Sequence, residues 1–239
     1  MLSTENDPLG QAISNFFFHN DKSPIHVKTN ITYSEEISVS HFFRKFESMP
    51  NLEQIALKMV TGNILDVGAG AGAHSFELQN NGFDVTAIDL SIPSCNVMRR
   101  RGIKNVLCED IWTFESSKFD TILFMMNGIG VAKTLDGLEP LLNRLKNIIK
   151  TNGQVILDSS DIKYMFEDDC DSLWVDLEKS YYGDLDYFLS YKKLIADPFP
   201  WLFVGFEILE EVAIKSGWKV EHIFQDDHHH YLARLTLNS

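Results

Sequence analysis

Asp66-Val67-Gly68-Ala69-Gly70-Ala71-Gly72 places three glycines directly behind a short β-branched run. At a strand-to-helix turn, glycines let the backbone approach a ligand without Cβ obstruction, and the helix start offers unpaired N–H donors. Two acids follow at matching places. Asp89 ends the next strand-like run, where its carboxylate is placed to accept two ribose hydroxyls, and Asp110 follows the run after that, where it is placed to meet an adenine amino group. Each such charge-assisted hydrogen bond contributes on the order of 1.5–3 kcal/mol. The set describes an adenosyl ligand. The glycines alone also satisfy G-x-G-x-x-G/A with Ala73 in the last place, so the loop by itself admits a dinucleotide. Asp89 and Asp110 also suit plain caps of the segments that follow them.

The elements that position these residues alternate short β-branched runs with helix-length amphipathic segments, which implies a parallel sheet with crossover helices. Strands are expected at 63–67, 84–88, 105–108, 119–125 and 154–158, with helices at 71–80 and 93–101 stopped by Gly82 and Gly102. Leu138, Leu141, Leu142, Leu145, Ile148 and Ile149 lay one apolar stripe along a further helix. A helix near 207–215 precedes strands at 219–224 and 230–237, joined too closely for a crossover and therefore antiparallel. Residues 1–60 read as a helical lid over the sheet's carboxyl edge, with helices at 39–47 and 52–60; residues 61–239 form the main domain, carrying an acidic, aromatic-rich insertion at about 160–205.

From the glycine loop through both acids to Phe119-Asp120-Thr121-Ile122-Leu123 and the turn Ile149-Lys150-Thr151-Asn152-Gly153, the sequence resembles the class I S-adenosylmethionine-dependent methyltransferase family. The resemblance covers about residues 50–160 and the terminal strand pair. It implies an α/β, Rossmann-like, doubly wound seven-stranded sheet, mostly parallel with an antiparallel last strand. It also implies S-adenosyl-L-methionine as cofactor, S-adenosyl-L-homocysteine as product, and direct displacement onto an acceptor. Carried over by residue, Asp66, Gly68, Ala69, Gly70 and Gly72 lie along the methionine part, Asp89 and Leu90 hold the ribose, and Asp110 and Ile111 frame the adenine. Asn127 would face cofactor and acceptor, although a residue before Gly128 also suits a turn.

Met125-Met126-Asn127-Gly128-Ile129-Gly130 departs from the Asn/Asp-Pro-Pro-aromatic motif of amino-methylating DNA enzymes, and no Pro-Cys nucleophile stands there. The net charge of -13 and ten acids against two lysines across 151–190 repel a polyphosphate. Both features argue against nucleic acid and for a small-molecule acceptor, ahead of a protein side chain. Arg99-Arg100-Arg101 reads as a solvated helix end favourable to the macrodipole. Orientation suffices for much of the catalysis, so no fixed catalytic residue is required. Where a base is needed, Tyr182, His228 and His230 are the candidates, with Tyr181, His229 and Asp158 behind them.

Adjacent histidines alternate faces on a strand, so only His228 and His230 converge, and no metal site is expected. Trp174, Tyr181, Tyr182, Tyr187, Phe188, Tyr191, Phe199 and Trp201 suit a cation-attracting acceptor pocket or the packing of an inserted hairpin. Cys95, Cys108 and Cys170 form no CxxC pair, no apolar run is long enough for a membrane, and the start is not signal-like, so a reduced, cytoplasmic protein is expected. The oligomeric state is not legible. A nicotinamide-dependent oxidoreductase is the first alternative, weakened because no Tyr-x-x-x-Lys pair occurs. A catalytically inactive adenosyl-binding scaffold is the second.

Overall fold

The computed structural model describes residues 6–116, 118–166 and 181–238. In chain order these form α1 (Pro8–His19), β1 (Ile25–Thr29), β2 (Glu35–Ile37), α2 (Asn51–Met59), β3 (Asn63–Val67), α3 (Ala73–Asn80), β4 (Asp84–Ile88), α4 (Ile92–Arg100), β5 (Asn105–Leu107) and β6 (Phe119–Phe124). There follow α5 (Leu135–Ile148), β7 (Ile149–Ser160), β8 (Asp184–Tyr191), β9 (Leu194–Ile195), β10 (Phe199–Leu202), α6 (Phe206–Lys215), β11 (Trp218–Gln225) and β12 (His230–Leu237).

The main sheet has seven strands in the order β11-β12-β7-β6-β3-β4-β5. β3, β4, β5, β6 and β7 pair in parallel, and β12 runs antiparallel to both β7 and β11. The inner strands are apolar on both faces because both are covered. Leu65, Ile122, Phe124, Val155 and Leu157 pack towards Leu138, Leu141, Leu142 and Leu145 of α5, while Ile64, Leu123 and Ile156 pack towards Ala56 and Leu57 of α2 and Leu78 of α3. β3 lies between β4 and β6, so the chain leaves it in opposite directions across the sheet. The carboxyl edge at that reversal is where an open α/β sheet presents its ligand crevice.

The N-terminal segment departs from its helical expectation. The 39–47 stretch forms only two short 3-10 turns, Val39–Phe43 and Phe46–Ser48, and β1 and β2 are strands. β1 pairs antiparallel with β8 from the insertion, with Val27 opposite Leu189 and Thr29 opposite Tyr187. The two segments that interrupt the sequence pattern therefore build one antiparallel sheet, ordered β10-β8-β1-β2 with β9 beside β8. A β1 strand stabilised by a partner about 160 residues away has no local turn signal to announce it. α1 does carry one, since Asp7 caps it with a bond from the Gly10 N–H and Pro8 occupies its first turn. β7 begins at Ile149, directly from α5, because Ile149 pairs with Phe119 ahead of the irregularity that separates it from the Gln154–Thr121 register. Trp174 and Cys170 lie outside the described residues.

Candidate active site

The glycine loop leaves β3 at the carboxyl edge, held by Gly68 and Ala69 N–H bonds to the Ile88 carbonyl at 2.9 and 3.1 Å. Gly68, Gly70 and Gly72 all have positive φ, at 69°, 57° and 76°. Their surroundings differ. A Cβ on Gly68 would meet nothing within 4 Å, and one on Gly70 only Phe42 at 3.9 Å, so both border open space. A Cβ on Gly72 would lie 2.3 Å from Ile103, so this glycine permits the close packing of α3 against the next βα unit. Asp66 points below the loop into the protein, where Ser75 Oγ donates to it at 2.5 Å and burial raises its carboxyl above the ordinary range.

Asp89 stands directly after β4. Its Oδ2 accepts the Gly70 N–H and its Oδ1 the Ser91 N–H, both at 2.8 Å. A carboxylate has about four lone-pair sites, so each oxygen keeps one for a ligand hydroxyl. Burial pushes its pKa up to about 6 against those two bonds, and the charges of Asp7 and Asp66 push the same way. Leu90 follows it and lends its carbonyl to the Cys108 thiol at 3.6 Å. Asp110 closes a turn after β5, its Oδ1 accepting the Trp112 N–H at 3.0 Å. Ile111 beside it is buried, and its carbonyl accepts a bond from Arg144 at 2.8 Å. The loop and both acids thus line the ends of three neighbouring strands.

Across β3 the other side of the crevice is built differently. Asn127 follows β6 in the left-handed region with φ 56°. Its side chain accepts from Ser159 Oγ at 2.7 Å and donates to the Leu202 carbonyl at 3.1 Å. Its amide is thereby committed to joining the two sheets, and its backbone N–H donates to Asp158 Oδ2 at 3.1 Å. The other oxygen of Asp158 is buried without a partner. Burial raises this carboxyl to about 7 despite the Asn127 bond, and the Glu53 charge adds to the rise.

The aromatic residues divide between faces. Tyr187 packs against Phe199, Trp201 and Phe203 at ring distances of 5.9, 6.4 and 6.3 Å. Trp201 presses on the turn after β6, where a Cβ on Gly130 would lie 2.2 Å from its indole nitrogen. Tyr191 belongs to one apolar cluster with Ile13 of α1, Val97 of α4 and Ala71 of the glycine loop, so this face of the second sheet lies towards the carboxyl edge of the first. Phe188 points the other way and is exposed beneath Lys28.

Of the residues considered as bases, Tyr182 donates to Asp161 at 2.8 Å, and burial raises its phenol above the ordinary range. Tyr181 is likewise raised by burial, and its oxygen accepts the Gly205 N–H at 3.0 Å. His228, His229 and His230 lie exposed at the β11–β12 turn, where His228 and His230 donate backbone N–H bonds to Asp226 at 2.8 and 3.0 Å. That turn is separated from β3 by β7 and β6. Among the described residues no group of three His, Cys, Asp or Glu side chains is arranged to hold a metal ion.

Several contributors have no motif. Arg101 is not a solvated helix end: its guanidinium lies over Phe43 and Phe76 and donates to the Ala71 carbonyl, clamping the glycine loop. Glu53 of α2, buried, accepts from Arg44 and pairs with His74 of α3 at 2.7 Å. The Ser91-Ile92-Pro93 start of α4, like that of α1, carries a local signal, here a serine cap followed by proline.

Comparison with known proteins bears on the family and the fold. Residues 65–157 match the family model described as a methyltransferase domain. A SAM-dependent methyltransferase from Bacteroides fragilis, crystallised with S-adenosyl-L-homocysteine, is 38% identical, with 100% of this chain and 98% of that chain covered and a TM-score of 0.94. The amino pentose methyltransferase CalS10 from Micromonospora echinaspora is 14% identical over 81% of this chain and 94% of that one, with a TM-score of 0.54. The PH0226 protein from Pyrococcus horikoshii is 19% identical over 78% and 88%, with a TM-score of 0.58. The last two share the fold. No curated protein sequence matches the chain.

Proposed function

Because the chain belongs to the S-adenosylmethionine-dependent methyltransferases, we propose that it methylates a small-molecule acceptor held at the carboxyl edge of the main sheet, beneath the aromatic face of the second sheet. The protein is an enzyme of that class, and its cofactor is S-adenosyl-L-methionine. The residues present fit that cofactor, since Gly68 and Gly70 leave a cradle free of side chains and Asp89 keeps acceptor capacity beside it. When bound, the cofactor supplies an electrophilic methyl carbon that an acceptor lone pair displaces from sulfur, leaving S-adenosyl-L-homocysteine. Asp89 with Leu90 holds the ribose, and Asp110 with the Ile111 backbone frames the adenine. Asp66, Ala69 and Gly72 support the loop along the methionine part, and Asn127 positions the acceptor side through its bonds to Ser159 and Leu202.

The protein's remaining task is alignment, and orientation alone supplies up to ~7–11 kcal/mol of a barrier. For an acceptor that must lose a proton, Asp158 is the group best suited to take it. One of its oxygens has no partner, and a pKa of about 7 favours proton transfer near neutrality. Tyr182 is a hydrogen-bond donor with a raised phenol, and the histidine turn stands across two strands from β3. The observation that carries the acceptor reading is Trp201 seated on Gly130, which sets an aromatic roof over the carboxyl edge. The described parts of residues 1–60 and of the 160–205 insertion act together as the cap over that edge, supported by their shared sheet. Among the described residues no helix is long and apolar enough to cross a membrane. Cys95 and Cys108 are free thiols, which supports a cytoplasmic location.

The test is S-adenosyl-L-homocysteine release from S-adenosylmethionine with panels of small amines, alcohols and acids, and separately with protein acceptors. Turnover on small molecules is expected; turnover restricted to protein would overturn the acceptor reading, and binding without any turnover would favour a scaffold.

A further inference from the structure

We propose that Asp7, the N-cap of α1, is a positioning residue for cofactor binding, holding Asp89 in its ribose-binding geometry through Ser91. The inference rests on the ribose assignment of Asp89. Asp7 Oδ1 accepts the Gly10 N–H at 2.8 Å and so caps its own helix, while Asp7 Oδ2 accepts the Ser91 hydroxyl at 2.6 Å. Ser91 Oγ in turn accepts the Ser94 N–H at 3.1 Å, and the Ser91 N–H donates to Asp89 Oδ1 at 2.8 Å. One chain of hydrogen bonds therefore runs from the start of the N-terminal helix to the carboxylate that closes on Gly70.

A second feature marks the same joint. A Cβ on Gly10 would fall 2.0 Å from Ser91 Oγ and 2.2 Å from Asp7 Oδ2, so the first turn of α1 approaches Ser91 as closely as a backbone can. Asp7 and Ser91 are both almost fully buried, and no water competes for their bond. Helix capping alone would need only one oxygen of Asp7, and a serine would supply it. The second oxygen is explained by its hold on Ser91. The hold fixes a backbone N–H that orients Asp89, so displacing α1 releases the carboxylate from one of its two backbone donors.

The experiment is calorimetric titration of the full chain with S-adenosyl-L-homocysteine. Asp7→Ser keeps a cap for Gly10 but is too short to hold Ser91, and Gly10→Ala breaks the joint from the other side while improving helix propensity. Each is expected to weaken binding about three- to tenfold, and neither to weaken it further in an Asp89→Ala background, because the effect passes through Asp89. Asp7→Asn gives a readout that a purely structural role would not move. The groups facing Asp89 are Asp7 of α1 and Asp66 of β3, whose charges raise it, the Gly70 and Ser91 N–H groups, which lower it, and the Cys95 thiol of α4, which meets its carbonyl. Loss of the Asp7 charge should move the pH midpoint of binding down from about 6. Wild-type affinity in both Asp7→Ser and Gly10→Ala, or equal losses with and without Asp89, would overturn the proposal. Undiminished binding by Asp89→Ala would instead remove the ribose assignment beneath it.

Discussion

The two sides of the crevice are built by different means. On the proposed cofactor side, the glycine loop, Asp89 and Asp110 follow successive strands; the loop and Asp89 are fixed by bonds between neighbouring strand ends, Gly68 to Ile88 and Gly70 to Asp89, and Asp110 by its own turn to Trp112. On the acceptor side, Asn127 is held by Ser159 and by Leu202, which stands 75 residues away, and the first backbone N–H of α5 is capped by Asp184 from the insertion at 2.7 Å. The first side is built mainly of consecutive βα units, with one hold from α1 through Asp7 and Ser91. The second draws on β8 and β10 of the insertion, which pair with each other and reach back to the turn after β6 and the start of α5. A cofactor cradle assembled locally can stay constant while the distant segments that roof the acceptor change, which is how one fold serves many substrates.

The largest expected effect falls on the cofactor side alone. Asp89→Ala should weaken S-adenosyl-L-homocysteine binding by at least about tenfold, since it removes two bonds of on the order of 1.5–3 kcal/mol each. With a pKa of about 6, the wild-type carboxylate becomes protonated as pH falls through that value, so wild-type affinity should drop by up to about tenfold per pH unit below it. The Asp89→Ala protein should lose that slope, and calorimetry across pH 5–8 reads both.

Gly130→Ala sharpens the contrast from the opposite side. Its methyl group would collide with Trp201, at a cost of about 1–3 kcal/mol in stability. Thermal melts should show the loss, with S-adenosyl-L-homocysteine affinity changed less than about twofold; an equal loss of affinity would join the two sides. Asp158→Asn is expected to act on a similar scale, through pH. Because the folded-state pKa of Asp158 is raised to about 7, its ionisation removes stability as pH rises from the unfolded value through 7. The asparagine variant should therefore gain on wild type by roughly 2–3 kcal/mol at pH 8 relative to pH 5 in denaturant titrations, while losing turnover on any acceptor that must be deprotonated. Tyr182→Phe should do least, at about 1 kcal/mol or less for the bond to Asp161, with cofactor affinity unchanged.

The same contrast explains what the sequence disclosed. The β3 and β4 boundaries at 63–67 and 84–88 agree with their hydrophobic runs, the parallel strands agree with the alternation, and the seven-stranded sheet agrees with what the family resemblance implies. The glycine loop, Asp89 and Asp110 were visible because each stands where a local strand pattern stops. β1 was not, because its alternation becomes meaningful only beside Leu189 and Tyr187, and β2 is a strand only through its pairing with β1. Arg101 gave no sign that it would fold back over Phe43 and Phe76, since three consecutive arginines look equally solvated. Asp7-Pro8 did carry a helix-start signal, but its reach to Ser91 depends on how α1 docks against α4.

The central claim, that the crevice at the β3 reversal is a sulfonium-cofactor site, is tested most directly by calorimetric titration with S-adenosylmethionine, S-adenosyl-L-homocysteine and NADH in parallel. Micromolar binding of the first two, with no heat from NADH, is the result this account predicts. Binding of NADH alone would contradict it.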